Sequence, residues 1–173
     1  MADSNPSIPQ QHQASAPRAL RCAVVTVSDT RTVETDTGGR TVIEFLESAG
    51  HEIAAREIVP DDPRVLRPLL DSFRDRGDLD AILLTGGTGI SQRDQTFETV
   101  TAWLDRPLPG YGELFRMLSY AEIGSAAMLS RATGGLAHQT VVLTMPGSPA
   151  AVRLAMEKLI IPELPHLVRE ARR

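Results

Sequence analysis

Cysteine, aromatic residues and excess positive charge are all scarce in this sequence of 173 residues. Cys22 stands alone, which excludes an intrachain disulfide and a zinc site made of cysteines. Aromatic residues make up 4% of the chain and the formal net charge is −4, so we expect no nucleic acid partner, because phosphates need a basic face and bases need stacking rings. No apolar run is long enough to cross a membrane and no signal-peptide pattern is present, so we expect a cytoplasmic protein with no membrane partner.

The chain divides into two regions of different composition. Residues 1–18 are rich in proline, serine, glutamine and alanine, and they contain a single isoleucine. Such a segment cannot bury enough apolar surface to order itself, so we expect a disordered tail. Apolar runs begin after it, and residues 19–173 are of the right length to form a single domain.

Strand-like and helix-like patterns alternate along residues 19–173. Strands are predicted at ALRCAVVTVSD, HEIAAREIV, DLDAILLT and TVVLTMPGS. Helices are predicted over 39–49, 63–76, 95–104, 109–124, 149–159 and 162–169, and SAAMLSRATGGLAHQ receives no assignment. Pro68 is expected to kink or shorten its helix. The alternation predicts an α/β fold with a parallel sheet covered on both faces, so the loops that follow the strands should meet at one edge.

The segment LLTGGTGISQRD, residues 83–94, follows the third predicted strand. Gly86, Gly87 and Gly89 would let backbone N–H groups approach an anion closely, and a helix starting near Thr96 would add the positive end of its dipole. Further donors in the loop are Thr88, Ser91 and Arg93. The motif matches neither the Walker pattern nor the Rossmann fingerprint. Two interpretations therefore stay open, a phosphate-binding loop and a structural turn.

The segment MPGSP, residues 145–149, also has two interpretations. Ser148 as N-cap and Pro149 at the first helical position would make a good helix start, and capping alone would explain both residues. The other interpretation is a ligand contact at the end of a strand.

Aspartates lie at the ends of three of the predicted strands or in the loops that follow them, namely Asp29, Asp61 and Asp94. Mg²⁺ prefers oxygen ligands and commonly takes one or two carboxylates together with substrate phosphates. Carboxylates beside a glycine-rich loop therefore favour a phosphorylated ligand, with a nucleotide and Mg²⁺ as one option.

Five motifs occur in an order typical of one protein family. They are TVSD (Thr26–Asp29), VPDD (Val59–Asp62), LLTGGTGISQRD (Leu83–Asp94), AMLSRATGG (Ala127–Gly135) and MPGSPAAV (Met145–Val152). In them the chain resembles the MoaB/Mog family of molybdenum-cofactor biosynthesis proteins, and it looks closest to the bacterial MoaB branch. The resemblance implies a three-layer α/β/α sandwich with a mostly parallel central sheet. It also implies adenylylation of molybdopterin, in which the terminal phosphate of molybdopterin attacks the α-phosphate of ATP and releases pyrophosphate.

The resemblance further implies roles for individual residues. Asp61 and Asp94 match the family's essential acids, and they would be the catalytic residues and the Mg²⁺ ligands. The residues implied to contact molybdopterin or ATP are Ser28, Asp29, Gly86, Gly87, Thr88, Gly89, Arg93, Ser130, Arg131, Pro146, Gly147 and Ser148. For Arg131 the alternative is an ion pair at an interface or at the end of the sheet.

One segment departs from the family pattern. The adenylyltransferases usually read PRDVTPEAT where this chain reads QRDQTFETV, residues 92–100. Asp94 and Thr96 are kept, whereas Phe97 is a change that would pack inward or line a pocket. A second function therefore stays open, that of a non-catalytic molybdopterin-binding paralogue acting as a carrier or protector in the same pathway. Such a carrier would need the glycine loop but not Asp61 and Asp94.

The resemblance also implies a homo-oligomer, a trimer or a hexamer, with other proteins of the molybdenum-cofactor pathway as further partners. Apolar residues are closely spaced in PGYGELFRMLSY, namely Tyr111, Leu114, Phe115, Met117 and Leu118. An oligomer surface and a place in the core would both account for them.

Overall fold

A six-stranded sheet forms the centre of the computed structural model, which describes residues 19–173. The tail expected at 1–18 lies outside the described residues. The strands are β1 (Arg21–Val27), β2 (Glu52–Val59), β3 (Ala81–Thr85), β4 (Arg106–Pro107), β5 (Gly134–Ala137) and β6 (Thr140–Met145). Their order across the sheet is β2-β1-β3-β6-β5-β4. Strands β2, β1, β3 and β6 are parallel to one another, whereas β5 is antiparallel to β6 and β4 is antiparallel to β5. The mostly parallel central sheet is therefore confirmed.

Helices cover both faces of the sheet. They are α1 (Thr37–Ser48), α2 (Pro63–Arg76), α3 (Thr96–Trp103), α4 (Pro109–Ile123), α5 (Pro149–Ala155) and α6 (Ile161–Ala171), with a 3₁₀ helix at Gly124–Leu129 and a π-helical turn at Met156–Ile160. Side chains of β1 alternate between the two faces. Cys22 and Val24 face the core shared with α1, α4, α5 and α6, while Val25 faces the core shared with α2 and α3. This arrangement is the expected three-layer α/β/α sandwich, because each face of the sheet buries the apolar side of a separate helical layer.

Pro68 does not shorten its helix, so the expected shortening is wrong, while a kink at Pro68 stays a prediction. Helix α2 continues from Pro63 to Arg76 with Pro68 inside it. Pro68 is exposed, so the carbonyl that loses its N–H partner lies on the solvent side of the helix. Burial of Leu66 and Leu70 holds the opposite face against the sheet.

The predicted break between the last two helices is also absent. The chain stays helical from Pro149 to Ala171. In the intervening π-helical turn the N–H of Ile161 donates to the carbonyl of Met156, five residues earlier. Because this turn shifts the hydrogen-bonding pattern immediately before Pro162, the helix can continue past a residue that has no N–H. Within residues 19–173, no helix is long and apolar enough to cross a membrane.

Candidate ligand-binding cleft

A cleft of about 380 Å³ opens where the parallel strands end. Three of the sequence motifs contribute to it, although they lie far apart in the chain. The lining residues are Gly86, Gly87, Thr88, Gly89, Asp94, Phe115, Ser119, Ile123, Ala126, Ala127, Leu129, Ser130, Pro146, Gly147, Ser148 and Ala151. Its volume lies within the range of small-molecule sites, and the carboxyl edge of a parallel sheet is where α/β folds bind ligands.

The cleft has two chemically different sides. We call residues 86–89 with Asp94 the glycine wall, and Phe115, Ile123, Ala126, Ala127 and Leu129 the apolar wall. One side thus offers backbone amides and a carboxylate, and the other offers hydrocarbon surface. A ligand that fits both would combine a charged group with a flat apolar body.

The glycine wall holds its backbone in a conformation that other residues rarely adopt. Gly86 and Gly87 have φ values of +103° and +64°. A Cβ at Gly86 would collide with the carbonyl of Val27, and one at Gly87 would collide with the Asp61 carboxylate and the Thr96 hydroxyl. Glycine is therefore required at both positions by close approach as well as by φ.

Three consecutive N–H groups of the glycine wall are left without a partner inside the protein. Among residues 19–173, the N–H groups of Gly87, Thr88 and Gly89 donate to no backbone or side-chain acceptor. Backbone N–H groups of this kind are rarely left unpaired away from water. Successive N–H groups in such a turn form a concave donor site that suits an anion.

Asp61 lies beneath the glycine wall and not in the cleft. Its side chain is 6% exposed and accepts hydrogen bonds from the N–H of Gln95, at 3.1 Å, and from the hydroxyl of Thr96, at 3.2 Å. Gln95 makes no capping bond with its own side chain, so Asp61 caps α3 from a distant part of the chain. Burial raises the pKa of the Asp61 carboxyl above its usual value, against the opposing effect of these two hydrogen bonds.

Asp94 faces the cleft. One carboxylate oxygen, Oδ2, accepts the N–H of Ser91 at 3.0 Å, and a Cβ at Gly89 would lie 2.6 Å from this oxygen. The other oxygen, Oδ1, accepts no hydrogen bond from residues 19–173. Asp94 therefore both shapes the loop and presents a free carboxylate oxygen beside it.

Arg131 holds the glycine wall from the outside. Its Nε donates to the carbonyl of Gly89 at 2.7 Å, its Nη2 donates to the carbonyl of Asp94 at 2.9 Å, and its backbone N–H donates to the carbonyl of Thr88 at 3.0 Å. It also forms an ion pair with Glu98. Arg131 thus forms an ion pair, which was the alternative role considered for it, whereas a contact between Arg131 and a ligand stays a prediction.

Comparisons with known proteins agree with this geometry. Residues 23–166 match the family described as "Probable molybdopterin binding domain". The chain belongs to the MoaB/Mog family. A curated relative from Bacillus subtilis (strain 168), named "Molybdenum cofactor biosynthesis protein B", is 57% identical over 166 residues, which cover 95% of this chain and 97% of the relative.

Solved structures of the MoaB/Mog family superpose well on this chain. A crystal structure of "Molybdenum cofactor biosynthesis protein B" is 52% identical with a TM-score of 0.87, covering 91% of this chain and 98% of its own. A structure of MogA is 29% identical with a TM-score of 0.78, and the match covers 87% of this chain and 99% of the MogA chain. The higher identity to the MoaB proteins agrees with the branch expected from the sequence.

Some residues that the MoaB/Mog resemblance singled out lie beside the cleft and not in its lining. Arg93 donates through Nε to Oδ2 of Asp29 at 2.7 Å, and this contact lowers the pKa of the Asp29 carboxyl. The ion pair joins the loop after β1 to the loop after β3, and both side chains are largely exposed. Ser28 lines a smaller pocket of about 80 Å³ that shares Gly86 and Gly147 with the cleft.

The MPGSP segment is both a helix start and a part of the cleft. Ser148 is the N-cap of α5 and its Oγ accepts the N–H of Ala151 at 3.3 Å, with Pro149 at the first helical position. Ser148 also lines the cleft, together with Pro146 and Gly147. The capping prediction is confirmed, and the ligand contact stays a prediction.

The apolar wall was not foreseen as part of a site. Tyr111 and Phe115 are buried, whereas Leu114 and Met117 are exposed, so the apolar residues of α4 divide between core and surface. Phe115 and Ile123, together with Ser119 midway between them, recur every four residues on α4 and therefore share one face. That spacing is the one sequence signal that could have indicated the wall.

Phe97 fits both roles that the sequence allowed. Its ring is partly buried, and the Arg131 guanidinium lies over it at 5.1 Å from the ring centre. It also lines a second cavity, separate from the cleft.

Proposed function

We propose that this protein adenylylates molybdopterin, with the terminal phosphate of molybdopterin attacking the α-phosphate of MgATP and pyrophosphate leaving. Membership of the MoaB/Mog family supports a role in molybdenum-cofactor biosynthesis. The observation that carries the finer proposal is the set of three unpartnered N–H groups at Gly87, Thr88 and Gly89 beside the free oxygen of Asp94. A site that binds phosphate and stabilises charge developing at phosphorus needs donors and a carboxylate in this relation.

The two walls of the cleft suit the two parts of molybdopterin. In the proposal the N–H groups of residues 87–89 bind a phosphate, with the Thr88 hydroxyl as a further donor. The flat pterin lies against Ile123 and Leu129 of the apolar wall. Ser130 and Ser148 also line the cleft and would hydrogen-bond the polar edge of the ligand.

Mg²⁺ fits one of the two predicted acids better than the other. Among residues 19–173 no group of three or more metal-type side chains is assembled, so a metal would depend on substrate oxygens and water for most of its ligands. Asp94 lines the cleft and has one oxygen that accepts no hydrogen bond within residues 19–173, whereas both oxygens of Asp61 already accept hydrogen bonds. We therefore assign Asp94 as the protein ligand of Mg²⁺ and Asp61 as a positioning residue for the loop. Bound there, Mg²⁺ would neutralise phosphate charge.

The reaction needs little acid–base catalysis. A phosphate monoester has its second pKa near 6, so the nucleophile is already largely ionised at neutral pH. The protein's contribution is therefore to hold two phosphates close together and in line, and to surround them with fixed donors. This agrees with a cleft that, among residues 19–173, is lined by backbone amides and one carboxylate and by no histidine.

We further propose that the protein is a homo-oligomer in the cytoplasm, as expected from the sequence. Apolar side chains are exposed along α4 next to the cleft, including Leu114, Met117 and Tyr120 at 48%, 60% and 65%. A contiguous apolar surface of this kind suits a protein partner. Light scattering with size-exclusion chromatography would measure the oligomeric state, and a monomer would contradict this part of the proposal.

The test is the conversion of molybdopterin and MgATP to adenylylated molybdopterin, measured by chromatography. Asp94→Asn should lower turnover at least about a hundredfold, the scale of losing one preorganised electrostatic contact. Asp75→Asn is the matched control, because Asp75 is exposed on α2 and away from the cleft, and it should leave turnover unchanged. Tight molybdopterin binding without turnover in the wild type would contradict the proposal and support the carrier.

A further inference from the structure

We infer that the protein has a second binding site, for a small organic anion with a planar apolar body, in a cavity next to the cleft. The cavity has a volume of about 400 Å³ and shares Ser130 with the cleft. Its lining residues are Phe97, Pro109, Gly112, Arg116, Met128, Ser130, Arg131, Ala132 and Thr133. The adenylylation proposed above uses Ser130 and Arg131 at the cleft but places no ligand in this cavity, so each proposal can be tested without the other.

Arg116 supplies an uncompensated positive charge to this cavity. Its guanidinium donates through Nη1 to the carbonyl of Ala132 at 3.2 Å, and within residues 19–173 it forms no ion pair with a carboxylate. Arg131, the other arginine of the cavity, is paired with Glu98. A partly buried guanidinium whose charge has no counterion favours an anion beside it, and its planar set of donors suits a carboxylate or a phosphate.

The fold fixes the position of the Arg116 guanidinium. Gly112 lies one turn earlier on α4, and a Cβ there would lie 3.0 Å from Nη1 and 3.1 Å from Nη2 of Arg116. It would also press against the carbonyl of Ala132, at 2.5 Å. The absence of a side chain at Gly112 therefore lets the guanidinium lie between the helix and the strand segment, where the hydrogen bond to Ala132 holds it.

Two hydroxyl groups add neutral donors. Ser130 Oγ accepts the N–H of Ala132 at 3.4 Å, and Thr133 uses its backbone groups to pair with Thr144. The hydroxyl of Ser130 and the hydroxyl of Thr133 donate to no acceptor within residues 19–173. A single anionic group in the cavity could therefore receive donors of two kinds, charged and neutral.

The remaining lining explains why the ligand should carry an apolar body. Phe97, Pro109 and Met128 contribute ring, pyrrolidine and thioether surface to the same cavity. Met128 is 78% exposed, which is unusual for a large apolar side chain and leaves it free to close over a ligand. A lone phosphate would leave this surface in water, whereas an aromatic phosphate or carboxylate would cover it.

Phenyl phosphate is a suitable probe, and NMR of labelled methyl groups can separate the two cavities. The Met128 methyl reports the second cavity, and the Ile123 δ1 methyl reports the cleft. Titration of the intact protein should give a saturable shift of the Met128 signal with its own dissociation constant. That shift should occur whether or not the Ile123 signal moves.

Variants of Arg116 decide the assignment. Arg116→Gln should weaken the Met128 response at least about tenfold, because a charged hydrogen bond is lost. Arg116→Lys should give an intermediate affinity, since it keeps the charge and loses the planar donor set. Arg106→Gln, a change at an exposed arginine on β4 outside the cavity, should leave the response unchanged.

Two results would overturn the inference. One is the absence of a saturable Met128 shift, or a shift that Arg116→Gln leaves unchanged. The other is a change of oligomeric state in Arg116→Gln measured by light scattering, which would mean that a carboxylate of a second copy is the counterion. Failure of the adenylylation assay would not bear on either result.

Discussion

The glycine wall of the cleft is held by side chains from distant segments, whereas the apolar wall consists of α4 and the 3₁₀ helix that follows it. Asp61 caps the helix behind the glycine wall, and Arg131 binds the carbonyls of Gly89 and Asp94. In the apolar wall, Ile123 and Leu129 are 59% and 53% exposed. One wall is therefore fixed before a ligand arrives, and the other still has apolar surface to bury.

This difference assigns different tasks to the two walls. Donors fixed in advance stabilise developing charge without reorganisation, so the glycine wall should govern the rate of the chemical step. Apolar contacts bind substrate and transition state about equally, so the apolar wall should govern affinity. Substitutions in each wall can test this division.

The largest effect is expected from Gly87→Ala. A Cβ at this position would collide with the Asp61 carboxylate and the Thr96 hydroxyl, and it would have to adopt a φ of +64°. The left-handed conformation alone costs about 1–2 kcal/mol, and displacement of Asp61 removes the cap of α3. We expect the free energy of unfolding in urea to fall by more than about 2 kcal/mol and turnover to be lost.

Gly110→Ala is the control for that measurement. Gly110 lies near the start of α4 and a Cβ there would meet nothing within 4 Å. This variant should be as stable as the wild type or slightly more so, because alanine favours the helix. Wild-type stability and turnover in Gly87→Ala would show that the glycine wall is not held as described.

A smaller loss of turnover is expected from Arg131→Met. The change leaves the carbonyls of Gly89 and Asp94 without their donors and Glu98 without its partner. We expect kcat to fall at least about tenfold with a smaller change of KM, since the loop is displaced while the apolar wall remains.

Partial recovery in Arg131→Lys would separate positioning from simple loss of stability. Lysine keeps a charge for Glu98 but cannot reach both carbonyls with a planar group. A rise of KM with kcat unchanged in Arg131→Met would contradict the positioning role and favour a direct ligand contact.

The apolar wall should respond in the opposite way. Leu129→Ser removes apolar surface that a bound pterin would cover, an effect of about 1 kcal/mol. We expect the KM for molybdopterin to rise about fivefold with kcat nearly unchanged. Val65→Ala is the control, because Val65 is an exposed apolar residue on α2 outside the cleft. A fall in kcat at unchanged KM would reverse the assignment of the two walls.

The smallest effect is expected at the opposite end of the sheet, where His51 is buried just before β2. Burial lowers the pKa of His51, although nearby Asp80 opposes the shift. Because the folded state binds the proton less readily, neutral His51 adds to the free energy of unfolding above about pH 6.5. This contribution is lost as the pH falls through the lower pKa that His51 has in the folded protein.

Urea unfolding between pH 7.5 and pH 5 checks this expectation. His51→Gln should lose less stability than the wild type over that range, and its turnover at pH 7.5 should be unchanged. An equal pH dependence in both proteins would show that His51 does not titrate as its burial indicates.

The parts of the fold that sequence reasoning predicted are those with a strong local signal. Ser148 is the N-cap that its position before Pro149 predicted, and Asp62 caps α2 in the same way before Pro63. The glycine-rich loop follows β3 as expected, because an apolar run that ends in glycines marks a strand followed by a turn.

Other parts depend on contacts that no short segment reveals. The hairpin of β5 and β6 turns at His138, which has a φ of +53°, so it lacks the glycine or asparagine that usually marks such a turn. Asp61 caps α3, whose first residue, Thr96, lies 35 residues later in the chain. Capping across such a distance follows from the tertiary fold and has no local pattern.

The most direct test of the two-wall cleft is a crystal structure of the protein with molybdopterin. The account predicts a phosphate within hydrogen-bonding distance of the N–H groups of residues 87–89, with the pterin ring against Ile123 and Leu129. A phosphate bound away from these N–H groups, or a pterin that leaves the apolar wall uncovered, would contradict it.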